Sequence, residues 1–203
     1  MLYIDNYQTL LAHIPQTHDR PILIAIDGRP CSGKTTLALQ LAESLQASIL
    51  HLDDFFIPQK DWPIDIHPAF PFPYFRYNEF FKAVKKLASG NPASYFDYDW
   101  QTGALSVNQK TISPTAIIIV EGVSVFHTAI NNIYATKIWV TSDPQAEMAI
   151  IKARENKNCL QLWEKLYLPS VDLYTESMPC LKADIIYSGR EVTAYVNTLF
   201  EAK

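Results

Sequence analysis

Apolar positions along this sequence follow two rhythms that alternate from end to end. Five short runs, Ile22–Ile26, Ser48–Leu52, Ala116–Val120, Lys137–Val140 and Asp184–Tyr187, are nearly continuous and rich in β-branched residues. Unbroken runs of this kind suit strands buried on both faces of a parallel sheet, not the in–out alternation of a half-exposed one. Between them the period lengthens to that of a helix. Lys34–Gln46 places Leu37, Ala38, Leu41, Ala42 and Leu45 on one stripe, and Asn78–Ser89 carries Phe80, Phe81, Val84 and Leu87. Asp143-Pro144, with Glu147 following, opens a further helix: a capping acid, proline at the first position and an acid in the first turn. Tyr3–Ile14 and Glu191–Ala202 read as an opening and a closing helix. Strands alternating with helices predict a three-layer α/β fold in a single domain over residues 1–203.

One stretch departs from this rhythm. Tyr95–Trp100 alternates acidic and aromatic residues, Gln101-Thr102-Gly103 supplies a turn, and Ala104–Ile112 can return as a second strand. The pattern predicts a β-hairpin flap within a region of about 55–112. That region is dense in aromatics, among them Trp62, Phe70, Phe72, Tyr74, Phe75 and Tyr77. Singly each could cover a core edge; together they suit the wall of an acceptor pocket.

Composition narrows the function. With 17 basic against 21 acidic residues and a net charge of -4, the chain lacks the clustered cations of a nucleic-acid binder, which favours a small-molecule partner. No run approaches a membrane-spanning length, and Met1–Asp5 lacks the charged and apolar regions of a signal peptide. Three cysteines, Cys31, Cys159 and Cys180, at no metal-like spacing fit reduced thiols, so a cytoplasmic protein is expected. Homo-oligomerisation stays open.

The strongest motif is Gly28-Arg29-Pro30-Cys31-Ser32-Gly33-Lys34-Thr35, directly after an apolar strand and directly before an amphipathic helix. Successive backbone N–H groups feeding a helix N-terminus hold phosphate oxygens without burying several cations. Gly28 and Gly33 permit the backbone's close approach, Lys34 reaches β- and γ-phosphates, and Thr35 offers its hydroxyl to Mg²⁺. The whole run, with Thr36, is the predicted nucleotide site. Two acidic positions follow strands, where ligands bind in open α/β sheets: Asp53 with Asp54, and Glu121. A kinase needs one acid at the acceptor hydroxyl and one for magnesium; Asp53 suits the first role and Glu121 the second.

Ile26-Asp27-Gly28 through Thr36, Leu52-Asp53-Asp54-Phe55-Phe56, Tyr98-Asp99-Trp100, Val120-Glu121-Gly122 and Ala183-Asp184-Ile185-Ile186 resemble, in order and spacing, the uridine kinase family, kin of phosphoribulokinase and bacterial pantothenate kinase. The resemblance implies a mainly parallel five-stranded sheet, ATP and Mg²⁺, and γ-phosphoryl transfer to a primary hydroxyl. It makes Asp53 the general base and assigns Tyr98, Asp99, Arg76 and Tyr77 to a nucleoside-like acceptor. That family carries an arginine-rich lid; here the lid region, about 149–168, offers Lys152, Arg154 and Lys157, with Arg154 the nucleotide-binding candidate. Gln101 stands near where the family carries His and Arg. The expected function is therefore an ATP-dependent small-molecule kinase most like uridine/cytidine kinase. Alternatives are a relative acting on pantothenate or glycerate, or a regulatory nucleotide binder without acceptor chemistry. Asn156-Lys157-Asn158-Cys159 lacks the aspartate that reads guanine in GTPases, which favours adenine.

Overall fold

The structure, a computed structural model, describes residues 1–15, 21–155 and 157–188. The expected helix Glu191–Ala202 lies outside the described residues.

The chain opens with strand β1 (Leu2–Ile4) and helix α1 (Tyr7–His13). The phosphate-loop unit follows as β2 (Ile22–Gly28) and α2 (Lys34–Leu45), then β3 (Ser48–His51), which runs into a single 3₁₀ turn, Leu52–Phe55. Helix α3 (Tyr77–Ala88) leads into four short strands: β4 (Ala93–Tyr95), β5 (Tyr98–Asp99), β6 (Ala104–Leu105) and β7 (Lys110–Ile112). The second half comprises β8 (Ile117–Glu121), β9 (Thr136–Thr141), α4 (Pro144–Arg154), α5 (Lys157–Leu162), a π-helical turn at Trp163–Tyr167, α6 (Leu168–Glu176) and β10 (Ile185–Ser188).

The central sheet is parallel throughout, in the order β1-β10-β9-β2-β8-β3. It has six strands, one more than expected, because Leu2–Ile4 pairs with Ile185–Tyr187 instead of starting the first helix. Three residues are too few to reveal a period of two. The helix begins four residues later than its sequence pattern because Asn6 caps it, its Oδ1 accepting from Thr9 N at 3.1 Å.

Strand alternation sends Leu23 and Ala25 to one face and Ile24 and Ile26 to the other. The second face packs on α1 and α2 through Leu10, Leu37, Ala38 and Leu41. The first face packs on α3, whose Phe80, Ala83, Val84 and Leu87 form a stripe of helical period, and on Val171 and Tyr174 of α6. The expected three layers result. The flap is also present as an antiparallel hairpin, β4 with β7 and β5 with β6, around the turn expected at Gly103. Among the described residues no helix is long and apolar enough to cross a membrane.

Candidate active site

A cavity of about 1080 Å³ opens at the carboxyl ends of the central strands. Five segments distant in sequence meet there: Pro30, Cys31, Lys34 and Thr35 of the phosphate loop; Asp53 and Phe56 after β3; Glu121 and Gly122 after β8; the flap; and the lid region. The parallel sheet causes this convergence, since every strand of such a sheet delivers its following loop to the same edge.

Loop geometry follows from one close approach and one positive φ. A Cβ on Gly28 would stand 2.3 Å from the Val140 carbonyl oxygen on the neighbouring strand, so the turn out of β2 requires glycine. Cys31 adopts a left-handed backbone (φ 58°), strain of the kind that well-packed functional loops retain. Lys34 is buried, and its Nζ donates to the Arg29 carbonyl at 2.7 Å. The Ser32 side chain is fully buried beneath the loop, whereas Thr36 is exposed and does not line the cavity.

The acids occupy the expected strand ends. Glu121, nearly buried, accepts from Thr35 Oγ1 at 3.2 Å on one oxygen and meets His51 Nδ1 at 2.9 Å on the other. Burial draws the His51 pKa down, but Glu121 outweighs it and holds the imidazole above its ordinary value. Asp53 faces the cavity, where solvent reaches it. The surrounding protein, followed by the Glu121 charge, pushes its carboxyl up to about 6 against the pull of Lys34 and His51. Asp54 turns the other way: its Oδ2 accepts from Tyr95 Oη at 2.7 Å and Lys110 Nζ at 2.9 Å, pinning the flap to the turn after β3.

Among the described residues no three His, Cys, Asp or Glu side chains cluster as a metal cage. A carboxylate beside a hydroxyl is nonetheless the donor set Mg²⁺ uses in phosphoryl-transfer sites, where water and phosphate complete the octahedron. Glu121 and Thr35 fit that requirement.

The same cavity has an aromatic wall. Phe56 is its centre, with the rings of Tyr74, Phe75, Tyr98, Trp100 and Tyr167 at centroid distances of 5.2, 4.9, 5.4, 5.1 and 5.8 Å. Phe72, Tyr74 and Phe75 line the cavity as the aromatic stretch predicted, whereas Trp62, Phe70 and Tyr77 pack behind it. Of the remaining acceptor candidates, Tyr98 lies on the wall, raised in pKa by burial. Asp99 does not line the cavity; it caps the flap turn, accepting from Gln101 N and Thr102 Oγ1, each at 2.8 Å. Arg76 is engaged elsewhere, donating to the carbonyls of Asp54, Phe56 and Phe96 and to Glu79, and Tyr77 is buried against Ser124 at 2.7 Å. Arg154 stands on the cavity rim, 59% exposed, with its Nε on Glu155 at 2.9 Å. Arg29 does not line the cavity: its guanidinium turns toward Glu147 and Asp172.

Several contributors were not singled out in the sequence. Phe56 and Tyr167 are ordinary aromatics until the rings around them are known. Asp27 carried a signal, a charge at the end of an otherwise apolar strand. Its buried carboxylate accepts from Gly28 N (2.7 Å), Ser124 N (2.9 Å), Phe126 N (2.9 Å) and Tyr174 Oη (2.6 Å), joining the phosphate loop, the segment after Glu121 and α6. Burial raises its pKa despite these four donors.

No family model matches the sequence. Individual proteins do. A uridine kinase of Deinococcus deserti is 30% identical over 116 residues, 52% of this chain and 54% of its own length. Uridine kinase-like protein 3 of Arabidopsis thaliana is 24% identical over 84% of this chain, which spans 40% of that protein. A uridine kinase of Mycoplasma pneumoniae is 26% identical over 84% of this chain and 86% of its own length. The chain is thus similar in sequence to several uridine kinases. It shares its fold with a structure of a possible uridine kinase from Bacillus stearothermophilus, which superposes with a TM-score of 0.69 at 21% identity, covering 89% of this chain and 94% of that one. A D-glycerate 3-kinase from Cryptococcus neoformans shares the fold more distantly, with a TM-score of 0.53 at 15% identity over 82% of this chain and 85% of that one.

Proposed function

We propose that this chain is an ATP- and Mg²⁺-dependent kinase that phosphorylates a primary hydroxyl of a neutral, ring-bearing small molecule, a pyrimidine nucleoside such as uridine or cytidine. The observation that carries the reading is a single cavity lined both by phosphate-loop groups with two strand-end acids and by a cluster of aromatic rings. Apart from Lys34, the basic side chains on its described wall are Lys60, which is exposed, and Arg154, which is paired with Glu155. A carboxylate acceptor such as pantothenate or glycerate calls for a fixed, desolvated cation, so this wall favours an uncharged ring.

In this reading Lys34 leaves the Arg29 carbonyl and meets the phosphates, while Glu121 and Thr35 hold magnesium. The metal neutralises charge on the phosphate oxygens. The acceptor oxygen forms its bond to γ-phosphorus as the bond to the β-bridging oxygen breaks, and Asp53 takes the hydroxyl proton. A loose transition state releases that proton late, so position counts for more than basicity. Tyr98 and the rings around Phe56 hold the base; Arg154 closes over the nucleotide. Because ATP is the donor, the cytoplasm is the expected compartment.

The test is ADP release with Mg·ATP across uridine, cytidine, pantothenate and glycerate. Turnover with the nucleosides is expected. Turnover confined to a carboxylate acceptor would overturn the substrate assignment, and none with any acceptor would favour a nucleotide-binding regulator.

A further inference from the structure

Arg29 is placed oddly for a cation in an anion-binding loop. Its Nε donates to Glu147 Oε2 at 2.8 Å, and its Nη1 meets Asp172 Oδ1 at 2.8 Å with Thr175 Oγ1 at 3.4 Å. Glu147 belongs to α4, whereas Asp172 and Thr175 belong to α6. One loop side chain therefore ties together the two helices that bracket the lid region. On the other side of Gly28, Asp27 also reaches α6 by accepting from Tyr174. The Arg29 carbonyl meanwhile receives Lys34, so movement of this residue moves the ammonium's resting partner.

The two acids do not contribute equally. The Glu147 side chain is 2% exposed and that of Asp172 60%. An exposed pair is screened by water and salt, while a buried carboxylate deprived of its cation is left uncompensated. Glu147 also keeps its Oε1 buried without a hydrogen-bond partner among the described residues, so the Arg29 contact is the one that Oε2 depends on.

We infer that Arg29 is a positioning residue, a clamp that sets the phosphate loop against α4 and α6 and so couples nucleotide binding to the placement of the lid. The inference rests on reading the loop as the nucleotide site.

It is tested on the full chain with Arg29→Ala, Arg29→Lys, Glu147→Gln and Asp172→Asn, by calorimetry with ATP and by hydrogen exchange without nucleotide. Arg29→Ala should weaken ATP binding about tenfold, within the range usual for coupled sites. It should also speed exchange in the loop and α4, and leave the acceptor KM within about twofold. Glu147→Gln should reproduce most of both effects, Asp172→Asn little of either, and Arg29→Lys should recover only part of the loss, since an ammonium keeps the charge but not the planar guanidinium that meets buried Glu147. Should Arg29→Ala fail to fold, Glu147→Gln carries the same two readouts. Unchanged exchange in the folded variants overturns the clamp. So does weak ATP binding in Arg29→Ala with Glu147→Gln unaffected, because Arg29 would then touch the nucleotide itself. A wild-type protein that binds no ATP refutes the nucleotide reading on calorimetry, while the exchange arm still judges the clamp.

Discussion

At the scale of single residues, Asp53 carries a charge that the fold disfavours. Its carboxyl is held at about 6, against an ordinary value of 3.8, by the surrounding protein and by Glu121. The folded state thus binds a proton more tightly than the unfolded chain, so the stabilising contribution is present below about pH 4 and is lost as pH rises through about 6. Asp53→Asn removes that charge. The variant should melt above wild type at neutral pH, with the difference vanishing toward about pH 4, as thermal scans across that range will register. Transfer to the acceptor should fall about 10²-fold while ATP affinity survives. In wild type kcat/KM should decline below about pH 6, where the free enzyme's base is protonated. Equal turnover in Asp53→Asn would remove Asp53 from the role of base. The position of this acid was legible, because an acid ending an apolar strand beside a phosphate loop is a local pattern. Its altered affinity for a proton was not, because the causes lie in Glu121, Lys34 and His51, none of them adjacent in sequence.

Among elements, the flap illustrates what patterning reveals and what it conceals. Alternating residues at Tyr95–Trp100 announced a hairpin, and one formed. One of the side chains that fasten it to the turn after β3 is Asp54, which the same pattern left without a role. Asp54→Ala strands the Tyr95 hydroxyl in a buried position, a loss of about 1–3 kcal/mol. We expect a lower melting temperature and a raised acceptor KM, with the ATP KM little changed. Lys110→Ala, removing a partly exposed partner, should cost under about 1 kcal/mol. A raised ATP KM with an unaltered acceptor KM would show that the flap serves the nucleotide instead. Leu2–Ile4 was concealed for the opposite reason: three residues carry no period, and only its partner Ile185–Tyr187 makes it a strand. Arg76 and Tyr77 show a third limit, since an arginine bonded to carbonyls and one reaching a ligand look alike in sequence.

For the whole molecule, the sheet joins the loop, the acids and the aromatic wall, so occupancy at the loop should be felt as global stability. ATP at about a hundred times its Kd stabilises by about 2.7 kcal/mol. For a chain of this length that corresponds to roughly 5–10 °C in Tm. Lys34→Ala should fold yet lose most of this shift together with turnover, measured by scanning with and without Mg·ATP; a full shift in the variant would show that the lysine does not meet the phosphates. The layered architecture was legible because the five apolar runs and the helical stripes beside the phosphate loop and at Asn78–Ser89 declare themselves locally. The Arg29 clamp was not, because it joins residues 118 and 143 positions apart whose types fit any solvated surface. Gly122 adds a consequence at this scale. A Cβ there would lie 2.5 Å from Leu52 Cβ, one residue from Asp53 on one strand end and one from Glu121 on the other. The missing methyl therefore acts as a ruler: it lets the two strand ends, and with them Asp53 and Glu121, lie close together. Any side chain at 122 would have to push Leu52 aside, so the spacing of the two carboxylates depends on an atom that is not there.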